Sequence, residues 1–166
     1  MRVICVGGDR QVTVEEIVEE YGSMLFKICM VLLGNDQDAQ DAVQEAFCRY
    51  MEHSKVFHDK EHEKACLMKV AVNICRDMHR GRMRHPTVKL DDISEYLPVP
   101  EQSEVLLELM NLPGKLKTVI YLHYIEGYKT TEIAEMMGIT ANAVRKRMQR
   151  RQRKRFLLLM IRQRIL

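Results

Sequence analysis

The sequence predicts an all-α protein made of two small helical domains joined by a flexible linker. Apolar residues follow helical spacing along most of the 166-residue chain, and strand-like alternation is nearly absent. The helical period lapses over residues 85–102, which contain three of the four prolines and are typical of a linker. We therefore expect an N-terminal extension at 1–12, a first domain at 13–84 and a second domain at 103–166.

Charge is divided unevenly along the chain. The net charge is only +3, yet residues 136–166 contain ten of the 26 Lys and Arg and no acid. Residues 1–135 carry 16 bases against 23 acids, a net charge of −7. This asymmetry indicates a polyanionic partner for the C-terminal end and a different partner for the rest.

Cysteine usage and hydropathy bear on the compartment. The five cysteines are odd in number and contain no C-x-x-C pair, which is typical of reduced core thiols. No apolar run approaches the roughly 18 residues of a membrane span. We expect a cytoplasmic protein with no membrane insertion.

The first helix is predicted to begin at Thr13 and to end at Gly34. The sequence TVEE forms a capping box in which the side chain of Glu16 reaches back to Thr13. A glycine directly after the last apolar residue favours helix termination. The inward stripe consists of Val14, Ile17, Val18, Tyr21, Leu25, Ile28 and Leu32.

A second helix is predicted after Asn35 or Asp36, either of which can cap it. Its apolar face comprises Ala39, Ala42, Val43, Ala46, Phe47 and Tyr50. Its opposite face is compact and acidic, and comprises Asp38, Asp41, Gln44 and Glu45. This face is better suited to docking a basic protein surface than to contacting DNA.

A third helix is predicted from about Glu63 to Arg80. Its inward residues are Leu67, Val70, Ala71, Ile74, Cys75 and Met78. Its outward residues are Lys69, Asn73, Arg76 and Arg80, with Asp77 at their edge. A basic surface that also carries an Asn suits both phosphates and base edges.

The second domain is predicted to contain a helix-turn-helix. One helix ends before Pro113 and another ends at Gly127. Thr130 or Thr131 then caps a short helix, Gly138 makes the turn, and Thr140 caps a helix from Ala141 to about Arg155. The small residues Ala134 and Gly138 allow close approach, and Val144 locks the two helices together.

The outward face of the last helix predicts DNA binding. Val144 and Met148 face inward, and the outward residues are Asn142, Arg145, Lys146, Gln149, Arg150 and Arg153. Arg and Lys favour guanine in the major groove, Asn and Gln favour adenine, and the surplus charge binds phosphates. A solvated basic helix and an RNA-binding surface remain alternatives.

With both units in view, the chain resembles the extracytoplasmic-function group of bacterial RNA polymerase sigma factors, in the sigma-70 family. LLGNDQDAQDAVQEAFCRYM and LMKVAVNICRDMHR resemble sigma region 2, and Leu112 to Arg155 resembles the region 4 helix-turn-helix. The resemblance covers residues 14–84 and 103–158. It implies promoter-specific transcription initiation with core RNA polymerase, promoter DNA and an anti-sigma factor as partners.

Residue roles follow from the resemblance by position. Asp38, Asp41, Gln44 and Glu45 would bind the polymerase. Lys69, Asn73, Arg76, Asp77 and Arg80 would read and open the −10 element, and the loop near Val56 to His62 would hold a flipped base. Asn142, Arg145, Lys146, Gln149, Arg150 and Arg153 would read the −35 element. Cys66 stands where the family usually has Trp, and the apolar tail after Arg155 has no assigned role.

Other functions remain open. The nearest rival is a stand-alone helix-turn-helix regulator whose residues 1–100 sense a signal or dimerise. His58, His62 and Cys66 are spaced by four residues, as zinc ligands on a helix can be, but nothing completes a tetrahedral set. We expect no metal, no cofactor and no catalysis, since no nucleophile motif or phosphate loop is present.

Overall fold

A computed structural model describes most of the chain. The described residues are 3–6, 10–52, 57, 59–81 and 109–149. The chain divides into two compact units, Met1–Pro86 and Thr87–Leu166. Helices build both units, which confirms the predicted all-α class. The predicted linker at 85–102 lies outside the described residues.

A short β-hairpin, absent from the predicted elements, precedes the helices. Strand β1 (Val3–Val6) pairs antiparallel with β2 (Arg10–Thr13), with Val3 opposite Thr13. Three of the four residues of β1 are β-branched, and Gly-Gly-Asp between the strands is a sequence that favours tight turns. The N-terminal extension therefore contains secondary structure in front of the first helix.

Helix α1 (Val14–Leu33) has the predicted caps at both ends. The Thr13 hydroxyl accepts a hydrogen bond from the Glu16 N–H at 3.3 Å, and the Glu16 carboxylate accepts one from the Thr13 N–H at 3.0 Å. Gly34 ends the helix with φ of 69°, a left-handed conformation that glycine adopts without steric cost. The capping box and the glycine stop are both confirmed.

Helices α2 (Asp36–Glu52) and α3 (Lys60–Gly81) also begin at polar caps. The Asn35 side chain accepts a hydrogen bond from the Asp38 N–H at 3.0 Å, so Asn35 caps α2. The Asp59 carboxylate accepts one from the His62 N–H at 2.6 Å. Because Asp59 caps α3, this helix begins three residues before the predicted start.

Helices α1, α2 and α3 pack against one another in pairs and form the core of the first unit. Ala39, Ala42 and Ala46 are fully buried, so α2 approaches its neighbours closely. On α3, Met68 and Val72 are buried, whereas Val70 and Met78 are only half-buried. The buried face of α3 is therefore wider than the predicted stripe and is rotated relative to it. The reason is that α3 contacts both α1 and α2.

Within its described residues, the second unit contains helical residues at 109–110, three further helices and a π-helical turn. Helix α4 (Gly114–Ile120) continues into the π-helical turn at Tyr121–Ile125, and α5 (Thr130–Met137) and α6 (Ala141–Met148) follow. Gly127 has φ of 80°. The core residues of this unit with complete burial are Leu109, Val119, Ile120, Leu122, Ile133 and Val144.

The start of α5 differs from the predicted helix boundary. Neither Thr130 nor Thr131 caps α5; Lys129 occupies the cap position, and its N–H donates to the Glu132 carboxylate at 2.7 Å. The prediction is wrong because the helix begins at Thr130, so both threonines lie inside its first turn, and the Glu132 carboxylate accepts from the N–H of the cap residue Lys129. The predicted extension of the last helix to Arg155 lies outside the described residues.

Candidate nucleic-acid interface

The helix-turn-helix is held by its turn and by small buried residues. Gly138 ends α5 with φ of 63°, and the Ile139 N–H donates to the Ala134 carbonyl at 2.9 Å. The Thr140 hydroxyl then accepts a hydrogen bond from the Ala143 N–H at 3.2 Å and caps α6, as predicted. Val144 is completely buried and Ala134 nearly so, which lets α5 and α6 pack closely.

The outer face of α6 presents polar and basic side chains above this core. Asn142, Arg145, Lys146 and Gln149 are exposed, whereas Met148 is buried beside Val144. The Arg145 guanidinium donates to the Asn142 side-chain oxygen at 2.8 Å, so these two groups form one connected polar surface. The predicted Arg150 and Arg153 lie outside the described residues.

Arg147 differs from the other basic residues of α6. It is half-buried, and burial lowers the pKa of its guanidinium from the ordinary value. Burial of the guanidinium disfavours its charged form, and Arg147 is less exposed to a partner than the basic residues around it. The exposed residues next to it are therefore better placed to reach a groove.

Helix α3 presents the predicted basic face in the first unit. Lys69, Arg76, Asp77 and Arg80 are exposed and Asn73 is half-buried. The Arg80 guanidinium lies 3.7 Å from the Asp77 carboxylate, and both side chains are more than half exposed, so this ion pair is weak. His79 Nε2 lies 3.0 Å from the Leu32 carbonyl oxygen and ties the end of α3 to α1.

Helix α2 presents the predicted acidic face. Asp41, Gln44 and Glu45 are exposed and Asp38 is half-buried. Arg49 pairs with Glu45 at 2.7 Å, but both side chains are about half exposed. A basic group of a binding partner could therefore replace Arg49 beside Glu45 at little cost in free energy. Adjacent helices of one unit thus carry faces of opposite charge.

The segment between α2 and α3 contains an aromatic cluster. Phe57 is buried and its ring stacks on Tyr50, with ring centroids 5.6 Å apart and an 8° angle between the planes. The exposed His62 ring meets Phe57 edge-on, with centroids 5.8 Å apart. Val56 and His58 of the predicted loop lie outside the described residues.

A buried acid lies directly beside this cluster. Glu63 is 4% exposed, and its carboxylate accepts hydrogen bonds from the hydroxyls of Tyr21, at 3.0 Å, and Tyr50. Burial, together with interaction with Glu63, raises the pKa of both tyrosines. Glu63 is not among the site residues predicted from the sequence. Its position four residues before Leu67, on the inward stripe, is the signal that could have found it.

Comparison with known proteins places this arrangement in a family. The model for Sigma-70 region 2 matches residues 17–85, and the model for Sigma-70, region 4 matches residues 102–150. The chain is 31% identical over 156 residues to the ECF RNA polymerase sigma factor SigW of Bacillus subtilis (strain 168), covering 81% of this chain and 82% of SigW. The chain belongs to the ECF RNA polymerase sigma factors.

One further relative and two solved structures are also similar to this chain. SigM of Mycobacterium tuberculosis is 25% identical to this sigma factor over 146 residues, which is 86% of this chain and 74% of SigM. CnrH, solved in complex with the cytosolic domain of CnrY, superposes with a TM-score of 0.60 at 24% identity, covering 89% of this chain and 86% of CnrH. RpoE of Bartonella quintana, solved with the anti-sigma factor NepR, superposes with a TM-score of 0.66 at 18% identity, covering 88% and 95%. The two structures share the fold.

The matched regions contain the predicted faces of this sigma factor. The region 2 match spans α2 and α3, which carry the acidic and the basic face, and the region 4 match spans α4 to α6. The resemblance stated from the sequence is thereby confirmed, and a stand-alone regulator is not favoured. The role of each site residue stays a prediction.

Cysteines and histidines form no metal centre within the described parts of the chain. No group of three His, Cys, Asp or Glu side chains is placed there to hold an ion, and His58 lies outside these parts. Cys29 and Cys75 are buried thiols, and a hydrogen bond between them, with burial, raises the pKa of Cys75. Cys66 is half-buried and Cys48 exposed, so only part of the set fits the predicted core role.

Among the described residues, none of the helices is both long and apolar enough to cross a bilayer.

Proposed function

We propose that this sigma factor directs core RNA polymerase to its promoters through three separate surfaces. Helix α2 docks on the polymerase, α3 and the segment before it read and open the −10 element, and α6 reads the −35 element. The observation that carries the proposal is the exposed acidic face of α2 beside the exposed basic face of α3 in a region 2 unit. Opposite charges on adjacent helices suit two different partners.

Base reading at the −35 element is assigned to the outer face of α6. Asn142, Arg145, Lys146 and Gln149 are exposed above buried Val144, so they can enter a major groove together. Arg150 and Arg153 belong to the same predicted stripe. Guanidinium and ammonium groups favour guanine, amides favour adenine, and the remaining charge binds phosphate.

Opening at the −10 element is assigned to the outer face of α3. Lys69, Arg76 and Arg80 supply phosphate contacts, and Asn73 supplies an amide for base edges. Asp77 lies 3.7 Å from Arg80 in an exposed, weak ion pair, so a DNA phosphate can replace it as the partner of Arg80. Flipping a base out of the stack costs a few kcal/mol, which base capture by the preceding segment must offset.

Polymerase docking is assigned to Asp38, Asp41, Gln44 and Glu45 on α2. We also propose that residues 85–102 act as the linker that sets the separation of the two DNA-reading domains, 13–84 and 103–166. The chain then works in the cytoplasm and lends specificity to the polymerase without catalysing a reaction itself.

An anti-sigma factor is the proposed inhibitor. NepR is the anti-sigma factor in the Bartonella quintana RpoE structure, and CnrH was solved in complex with the cytosolic domain of CnrY. Since this chain shares their fold, we propose that a protein of that class binds it and keeps it from the polymerase. The shared fold supports this proposal and does not identify the inhibitor.

Binding to core RNA polymerase tests the docking assignment. Asp41→Lys should weaken binding to core by about tenfold, because a reversed charge at a protein interface introduces repulsion. Glu19→Lys, an equal charge reversal at an exposed position of α1, is the matched control and should bind normally. Wild-type protein that binds promoter DNA alone and never binds core would instead establish the stand-alone regulator.

A further inference from the structure

The buried carboxylate of Glu63 joins all three helices of the first unit. Both of its oxygens accept hydrogen bonds, one from Tyr21 on α1 and one from Tyr50 on α2, while Glu63 itself lies in the first turns of α3. All three side chains are at most 5% exposed. A buried carboxylate without donors would be costly, and two hydroxyl donors offset that cost.

Packing alone does not explain why an acid occupies this position. Well-packed apolar residues often stabilise a core as much as a buried polar network does, whereas a network fixes one geometry among several that are similarly packed. The Glu63 carboxylate restricts the rotation and register of the first turns of α3 relative to α1 and α2. On the surface, Lys60 of α3 pairs with Glu20 of α1 at 2.6 Å and gives these two helices a second polar connection.

The network extends into the segment that precedes α3. Tyr50 donates to Glu63 with its hydroxyl and stacks its ring on Phe57. Phe57 in turn contacts the ring of His62, and Asp59 caps the turn that contains His62. Of these aromatic rings only His62 is exposed. The connected groups therefore present one aromatic ring to solvent at a fixed place.

We infer that Glu63 is a positioning residue for reading the −10 element: through Tyr50 and Phe57 it sets where the His62 ring meets an unstacked DNA base. Bases taken out of a helix are commonly held by stacking on aromatic side chains, so a displaced ring would discriminate poorly between bases. The inference rests on the proposed function. Glu63 is buried and does not itself contact DNA in the proposed complex.

The test compares three variants of the full chain. Glu63→Leu removes both acceptor oxygens at similar side-chain volume. Glu63→Gln retains one acceptor oxygen and gains an NH₂ group, which can donate a hydrogen bond to the hydroxyl of the second tyrosine. Ile28→Val is the control for a general loss of stability, since Ile28 is a fully buried residue two turns beyond Tyr21 on α1. Tyr50→Phe, which removes a single hydroxyl, replaces Glu63→Leu should that variant fail to fold.

The first measurement is amide hydrogen exchange in the free protein. Glu63→Leu should speed exchange in residues 57–66 by about tenfold relative to Ile28→Val. The second is promoter opening with core polymerase on templates that differ by one base in the −10 element. There Glu63→Leu should reduce the preference for the best base by about fivefold, and Glu63→Gln should keep it within about twofold of wild type.

Unchanged exchange in residues 57–66, unchanged base preference, or an equal loss of preference in Ile28→Val would overturn the inference. If the wild-type chain opens no promoter with core polymerase, the proposed function fails. Hydrogen exchange then still decides whether Glu63 orders the segment.

Discussion

Lys117 is a buried basic side chain of the second unit, and its burial should lower the free energy of unfolding. It lies on α4, is 7% exposed, and burial lowers its pKa to about 8. The unfolded chain has the ordinary pKa near 10.5, so it binds more protons than the folded chain between the two values. Stability should therefore rise with pH over this window and be lowest where both states are charged, below pH 8.

Replacing Lys117 by Met should stabilise the second unit at pH 7. The expected gain is on the order of 2 kcal/mol, because the folded chain no longer has to bury an ammonium group. Thermal unfolding at pH 7 and pH 10 measures it, and the gain should shrink at pH 10. Lys115→Met, an exposed position on the same helix, should show neither effect. A gain independent of pH would contradict this explanation.

Lys146 tests recognition of the −35 element at the level of one side chain. Lys146→Ala should reduce discrimination between the correct and a mutated −35 sequence by about 1–3 kcal/mol. Competition binding to duplexes with polymerase holoenzyme measures the difference. Lys115→Ala removes an equal charge from an exposed position of α4 and should leave the discrimination intact. A loss of affinity that is the same for all sequences would show that Lys146 contacts phosphate only.

At the scale of secondary structure, the sequence predicts the elements whose signals are local. The capping box at Thr13, the stop at Gly34 and the Gly138 turn each depend on residues next to one another, and all three occur as predicted. The π-helical turn at Tyr121–Ile125 was not predictable, because its apolar pattern is the same as that of an α-helix. The role of Glu63 also escapes local patterns, since its partners are 42 and 13 residues away.

Gly138→Ala tests the turn that orients α6 against α5. No atom lies within 4 Å of an added Cβ, so the cost comes from the backbone φ of 63° alone. The expected loss is about 1–2 kcal/mol in the free energy of unfolding. Gly114→Ala also meets no atom within 4 Å but has no left-handed φ, so it should be neutral or slightly stabilising. Chemical denaturation of both variants checks this, and equal effects would contradict it.

At the scale of the whole molecule, charge is divided between the two ends of the chain. Residues 1–135 carry −7, and residues 136–166 carry ten bases and no acid. This division was visible in the sequence, as was the order of the two units. Charge is divided a second time inside the first unit, where α2 carries an acidic face and α3 a basic one. The helical spacing of the charged residues predicts both faces.

Run-off transcription with core RNA polymerase, on the promoter region upstream of the chain's own gene, is the decisive measurement for a sigma factor with these three surfaces. We expect a transcript of defined length that requires both core and this chain and disappears when Asn73 is replaced by Ala, while −35 duplex binding persists. No transcript from any template, with no measurable affinity for core, would contradict it.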